Sequence, residues 1–418
     1  MVRERADKMM QGLGESILLD SDDIFVAPGP LSIRAERVLA SYNKVGDNAI
    51  AVPGCPPQFT PPNARLHVHK VLEEPVYPTI TFGLEPLVRA VQCMSPNVDV
   101  LGGACDIVSN AGSLYKLFLF LENNLSFTAR MDMEWQPSSK DETKGVMLVQ
   151  SWKGDPSSQF SVGYGGRFTE ATCHFPKDLP ETLQNSYSHH RVLYYELGGL
   201  RMAVHCEADG YYSPELPPSP PVSPKLSKAV PASKGSRFSV LMVDDDDPVS
   251  EELPVVSSDT LAVTFPCGPA TPVPAANLVE IKTFDARKVN CKHDVCTDAK
   301  FKLFIRHTPD SQLYFGRTLQ LYEAGHDSGV FSGGLSVNNV TARLQQWEAD
   351  NQKELGRLVG FLQRICTLAA EHASRGNTRL SLILPGTQHC DPVKLAHLDR
   401  SAKLYVRTDG VAFLPESL

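Results

Sequence analysis

Two hydrophobic periods divide this chain, one of 3.6 residues and one of two, and together they predict most of its elements. The sharpest local signal is Val192–Leu197 followed by Leu200–Asp209 across Gly198-Gly199, two apolar strands joined by a two-residue glycine turn. Leu125–Trp135 and Val146–Trp152 read as another strand pair, with polar Lys140–Gly145 at the tip. Cys105–Val108 reads as a strand that runs into a helix over Gly112–Leu121. Leu84–Val91 opens a short helix with Pro86 in its first turn. The longest helical pattern spans Val340–Ala370, where Leu344, Trp347, Leu355, Leu358, Val359, Leu362, Ile365 and Ala369 share a face and Asn338 or Asn339 can cap it. Strands over Lys300–Arg306, Arg379–Leu384 and Lys403–Val406, and a helix over Pro309–Ala324, complete the pattern. Ile50–Pro57 and Phe59–Pro62 are extended and punctuated by proline, as for chain lying over a surface. Interspersed strands and helices predict an α+β fold: a single domain with a central mixed β-sheet flanked by helices.

The pattern fails in two places. Residues 1–36 carry no sustained period and read as a weakly ordered N-terminal tail, leaving 37–418 as the domain. From Ser213 the composition changes, and 13 of the 32 prolines lie between Tyr212 and Asn277. Prolines alternating with serine and lysine cannot bury a core, so 213–260 reads as a mostly disordered insert. Ser219-Pro220 and Ser223-Pro224 suit proline-directed kinases, and the insert offers a docking segment to a protein partner. Its acidic run, Asp244–Asp247, reads as solvated linker. Looping the insert out costs little closure entropy, so the strands on either side can be sheet neighbours.

Composition narrows the function. The 418 residues are 42% hydrophobic and 21% charged, ordinary for a globular protein. A formal net charge of −8 provides no global attraction for nucleic acid or anionic lipid, so any nucleic-acid contact must come from a local groove. The 10 cysteines lack a disulfide framework, which predicts no disulfides and a reduced nuclear or cytoplasmic setting. No apolar run is long enough to cross a membrane, and the N-terminus is not a secretory signal.

Two short motifs carry the candidate chemistry. Glu207-Ala208-Asp209 ends the second hairpin strand, and Glu280-Ile281-Lys282 lies in the apolar strand Leu278–Thr283. Side chains two apart on a strand share a face, so Glu207 and Asp209 align with Arg201 and His205, and Glu280 aligns with Lys282. Three carboxylates and an ammonium on neighbouring strands are a hard-oxygen set for a divalent cation, or else a salt-bridged surface ladder. Gly163–Phe168 is glycine-rich without a following Lys-Ser/Thr, so it reads as a turn before a helix rather than a phosphate loop. Cys291-Lys292-His293-Asp294-Val295-Cys296 lacks a second ligand pair for structural zinc. Tyr194, Tyr195, Tyr211 and Tyr212 can stack bases or simply pack.

The order hairpin, Glu-x-Asp, variable stretch, Glu-hydrophobic-Lys and helix resembles the DXO family of decapping exoribonucleases. Its nearest likeness is to a fungal branch often labelled geranylgeranyl pyrophosphate synthetase. Ser41-Tyr42-Asn43, Val52–Pro57, Asp106-Ile107-Val108, Gly198-Gly199-Leu200, Glu207–Tyr211 and Glu280–Thr283 carry the resemblance from about Leu39 to beyond Phe331. It implies a PD-(D/E)xK nuclease-like fold, Mg²⁺ or Mn²⁺ as cofactor, and RNA 5′ ends or nucleotides as substrate. It also implies that Glu207, Asp209 and Glu280 hold the metal while Lys282 positions the attacking water, so that all four are catalytic. Three positions depart from the family. Ala111 stands for a phosphate-binding Arg, Thr169 for a Glu that in this chain comes one place late as Glu170, and Arg317 for a Gln. These changes leave two readings open: a metal-dependent RNA 5′-end phosphoesterase with an impaired site, and a degenerate nuclease fold that binds RNA or protein without turnover. Prenyl transfer does not fit, because it needs two Asp-rich motifs on facing helices and the single Asp-rich run here lies beside Pro248.

Overall fold

The computed structural model describes residues 7–19, 25–62, 65–70, 80–138, 141–152, 163–213, 255–257, 260–265, 273–289, 310–332, 335–387 and 401–418. The chain opens with helical residues 7–10 (α1), β1 (Leu13–Leu19), β2 (Arg34–Gly46), β3 (Ala49–Ala51), β4 (Gln58–Phe59) and β5 (Leu66–His67). It continues through α2 (Glu85–Met94), β6 (Ile107–Asn110), α3 (Ala111–Leu121), β7 (Ala129–Ser138), β8 (Asp141–Ser151), α4 (Gly165–Thr172), β9 (Cys173–His174) and α5 (Glu181–Gln184). The central hairpin is β10 (Ser188–Leu197) and β11 (Leu200–Ala208), followed by β12 (Gly210–Tyr211), β13 (Val255–Ser257), β14 (Ala262–Thr264), β15 (Leu278–Asp285) and α6 (Ala286–Val289). Helical residues 310–316 (α7), β16 (Gln320–His326), β17 (Val330–Phe331) and β18 (Ser336–Asn339) come next. The chain ends with α8 (Thr341–Asp350), α9 (Gln352–Ala373), β19 (Arg379–Leu384) and β20 (Ala402–Arg407).

A 12-stranded mixed sheet runs β1-β20-β19-β7-β8-β6-β11-β10-β2-β3-β14-β13, and a 6-stranded sheet runs β18-β16-β15-β12-β4-β9. The α+β expectation therefore holds. The large sheet is buried on both faces, which explains the near-continuous apolar runs of its central strands. Leu193, Tyr195, Met202 and Val204 face one core, with α3, α8 and α9. Val192, Tyr194 and Ala203 face another, with Leu84 just before α2 and Leu87 and Val91 within it. Each large apolar side chain buried this way contributes about 1.5–3 kcal/mol.

Four expectations are revised. The first 36 residues are not merely a tail, since β1 pairs antiparallel with β20 and Leu31 is buried. The long C-terminal helix is two, α8 and α9. Asn351 breaks it by turning its Nδ2 onto the Trp347 carbonyl at 2.7 Å and leaving helical geometry. The helix expected to reach Ala324 stops at 316: Arg317 takes a left-handed φ of 50° and the Thr318 N–H closes back on the Leu313 carbonyl at 3.1 Å, a C-terminal cap. Leu321, Tyr322 and Ala324 then bury as part of β16. Finally, β11 and β15 lie in different sheets, and the chain reaches β15 through the two-residue β12. The strand expected over Lys300–Arg306, the Cys291–Cys296 cluster and most of the insert lie outside the described residues.

Candidate active site

The site is built where the hairpin strand leaves one sheet for the other. Gly198 and Gly199 adopt φ of 58° and 83°, the left-handed pair a two-residue turn requires, and set β10 against β11 from Leu197↔Leu200 to His189↔Ala208. The ladder ends at Ala208. Asp209 spans the gap, and Gly210 pairs with Val279 of β15. A Cβ on Gly210 would meet the Pro57 carbonyl and Cys173 Sγ at 3.0 Å, so a larger residue would push the crossing strand away by a few tenths of an ångström.

Asp209 Oδ2 accepts the Ile281 N–H at 2.7 Å, which docks the carboxylate on β15 between Glu280 and Lys282. On β15, Val279 and Ile281 pack into a core, while Glu280 and Lys282 share the other face, as the period of two requires. Lys282 Nζ lies 2.6 Å from Glu280 Oε1. The same oxygen accepts Gln312 Nε2 at 2.9 Å, and Lys282 Nζ donates to Gln312 Oε1 at 3.4 Å. A triangle of carboxylate, ammonium and amide results.

The electrostatics follow from burial. Desolvation pushes the Asp209 carboxyl well above its usual range, and Glu280 and then Glu207 push it further, against the opposing pull of Lys282 and the Ile281 N–H. Burial pulls Lys282 down, but Glu280 and Asp209 outweigh it and the net shift is upward, so the ammonium stays charged.

Glu207 ends the hairpin strand as an exposed side chain opposite His190. His190 Nδ1 lies 2.7 Å from His205 Nε2, and its Nε2 lies 2.8 Å from Ser188 Oγ. Buried Tyr42 stacks on both rings, at 5.0 and 5.8 Å. Arg201, at the far end of the strand, is held by Asp106 at 2.6 Å and takes no part.

The structure thus brings Asp209, Glu280 and Lys282 into one contact network, and Glu207 reaches it through charge felt at Asp209. Among the described residues, no three His, Cys, Asp or Glu side chains stand grouped so as to hold an ion. Sequence reasoning missed Gln312. The resemblance points to Arg317 for the helix amide, but Arg317 pairs with Glu36 at 2.7 Å, and the helix-capping geometry that separates the two positions has no simple sequence signal. Thr169 is half-buried on α4, while Glu170 is exposed and pairs with Arg167 at 2.7 Å, so no carboxylate comes to the site from this helix. Ala111 is buried at the start of α3. Of the four tyrosines weighed for stacking, Tyr194 and Tyr195 are core residues, Tyr211 is half-buried and Tyr212 is exposed.

Solved structures resemble this architecture over nearly its whole length. S. pombe Rai1, in complex with 3′-FADP, matches with a TM-score of 0.54 at 10% identity, covering 94% of this chain and 99% of that one. K. lactis Dxo1, in complex with manganese, matches with a TM-score of 0.55 at 8% identity, covering 96% and 100%. Candida albicans Rai1, in complex with pU5-Mn²⁺, matches with a TM-score of 0.51 at 11% identity, covering 95% and 94%. This chain has the Rai1/Dxo1 fold. The likeness to the DXO family drawn from short motifs is therefore matched in architecture. Residues 32–231 also match a family described as Domain of unknown function (DUF8563). No curated protein matches the sequence.

Proposed function

We propose that this protein is a divalent-metal-dependent phosphoesterase acting at RNA 5′ ends. The observation that carries this reading is the Glu280–Lys282–Gln312 triangle beside Asp209, at the junction of two sheets in a fold shared with Rai1 and Dxo1. Glu207, Asp209 and Glu280 are not grouped as a preformed ion site, but the donors they would bring together are oxygens alone, which suits Mg²⁺ or Mn²⁺ better than a thiophilic ion. Burial and the repulsion from Glu280 and Glu207 raise the Asp209 pKa, and a cation relieves that repulsion. A bound cation would supply Lewis-acid stabilisation of phosphate charge and an acidified water.

The chain's own residues have separable tasks. Lys282, charged and tied to Glu280, is a donor rather than a base, suited to orienting a water or a phosphate oxygen. Gln312 and Lys282 together fix Glu280 Oε1 and so set the orientation of the carboxylate. Calorimetric titration with Mn²⁺ of wild type beside Glu207→Gln, followed by turnover of 5′-capped or 5′-phosphorylated RNA beside Glu280→Ala, tests the assignment. Binding and turnover that both disappear in the variants support it; turnover indifferent to Glu280→Ala removes it.

Thr169 and the outward Arg167–Glu170 pair favour a second reading, a fold that binds RNA or protein without hydrolysis. RNA affinity with no turnover in Mn²⁺ would select it. A role for the Pro/Ser-rich insert in docking a protein partner belongs with either reading.

A further inference from the structure

The strands β8, β6 and β11 are neighbours and run parallel, so their carboxyl ends open on one edge of the large sheet. Ser151 ends β8, Asn110 ends β6 opposite His205, and β11 carries Glu207 to its end at Ala208, with Asp209 next. In open sheets with parallel strands, ligands collect outside the carboxyl ends. The helix α3 leaves β6 at this edge, with Asn110 Oδ1 capping the Ser113 N–H at 2.7 Å.

Helical side chains lean toward the N-terminus, so Lys116 on the second turn reaches back to the same edge. Its Nζ lies 3.1 Å from Ser151 Oγ, which in turn lies 3.0 Å from the buried Ser113 Oγ. Tyr115, the preceding residue, is within electrostatic reach of Lys282. The ammonium therefore stands at the end of β8, on the edge where β11, two strands along, delivers Glu207 and Asp209, and the resemblance places an arginine at 111, where this chain has a buried alanine.

We propose that Lys116, held by Ser151 and backed by Ser113, orients a substrate phosphate in the candidate active site. The inference rests on the reading of that site as one for RNA. Lysine would serve here as a point charge without the bidentate fork of arginine. A phosphate oxygen can take up the ammonium alongside the Ser151 hydroxyl, which is itself able to donate to it.

The test uses the full chain and a short 5′-phosphorylated single-stranded RNA carrying a fluorophore, with binding followed by anisotropy in Ca²⁺ over a range of salt. Lys116→Met keeps the aliphatic length and removes the charge. It should weaken binding about tenfold at low salt and reduce the slope of log K against log salt by about 0.7, the value for one single-strand phosphate contact. Lys116→Arg should retain the wild-type slope, and Ser151→Ala should lose affinity in the same direction by a smaller factor. A slope unchanged in Lys116→Met overturns the proposal, as does an arginine variant no better than methionine. Mn²⁺ affinity should be the same in Lys116→Met and wild type, and its loss would mean that Lys116 supports the carboxylates instead. A protein that shows the slope change but neither binds Mn²⁺ nor turns over RNA keeps this role for Lys116 and removes the hydrolase. Turnover with an unchanged slope does the reverse.

Discussion

Asp209 Oδ2 sits 2.7 Å from the backbone nitrogen of Ile281, so the residue that ends one sheet is anchored on the strand carrying the other half of the motif. Burying an ionised carboxylate there costs stability, and the Ile281 N–H offsets part of that cost. Burial and Glu280 raise the Asp209 pKa above its unfolded value, so its contribution is full below the ordinary carboxylate range and is lost as pH rises through the folded value. Asp209→Asn keeps an acceptor for the Ile281 N–H and cannot ionise. In metal-free protein at alkaline pH it should melt higher than wild type, with a flatter dependence of Tm on pH, while Mn²⁺ affinity falls at least tenfold. A variant that melts lower at every pH would contradict this account of the contact.

The hairpin turn offers a cleaner comparison. A Cβ on Gly198 would stand 2.6 Å from Val359 Cγ1 of α9, whereas one on Gly199 would meet nothing within 4 Å. Both residues lie at positive φ, so each alanine substitution carries about 1–2 kcal/mol of backbone strain. Gly198→Ala adds a collision with a fully buried side chain, about 1–3 kcal/mol more. Chemical denaturation should therefore rank Gly198→Ala clearly below Gly199→Ala. Equal midpoints would mean that the α9 contact is soft.

Elements whose cause is local were legible in the sequence. The Gly198-Gly199 turn, α3 after β6 and the apolar face of α9 follow from period and turn chemistry alone. Glu280 and Lys282 share a face for the same reason. What the sequence hid depends on distant partners. Strand β1 exists because β20, almost 400 residues later, pairs with it. That β11 and β15 lie in separate sheets is set by Asp209 and Gly210 changing sheets, which no period announces. Gln312 reaches Glu280 from the first turn of α7, while Arg317, left-handed just beyond the helix, pairs with Glu36 instead, a division that depends on how α7 is placed against β15.

Gln312 gives a separate handle on the triangle. Removing its amide with Gln312→Leu leaves the Glu280–Lys282 ion pair but frees the carboxylate to rotate. If the site hydrolyses RNA, kcat should fall about tenfold or more, because positioning rather than charge is lost. Gln312→Glu places a like charge beside Glu280 and should lose Mn²⁺-dependent turnover more severely at high pH than at low. Steady-state kinetics over pH distinguishes the two, and an unaffected kcat in both variants would remove Gln312 from the site.

His189 makes the fold sensitive to acid. It is fully enclosed, with Nδ1 2.7 Å from Asn43 Oδ1. Burial lowers its pKa to about 3, and the nearby Arg191 guanidinium adds to the effect. The unfolded chain takes up this proton near pH 6.5 and the folded chain does not, so the stability tied to neutral His189 is complete above pH 6.5 and lost as pH falls toward 3. The slope approaches about 1.4 kcal/mol per pH unit within that window. His189→Gln retains a side chain able to hydrogen-bond Asn43 without a titrating group. It should be less stable than wild type at pH 7, where a fitted imidazole is lost, yet close the gap as the pH drops to 4. Urea midpoints measured at both pH values decide the matter: a gap that stays constant between them would show that His189 is not the group that takes up the proton.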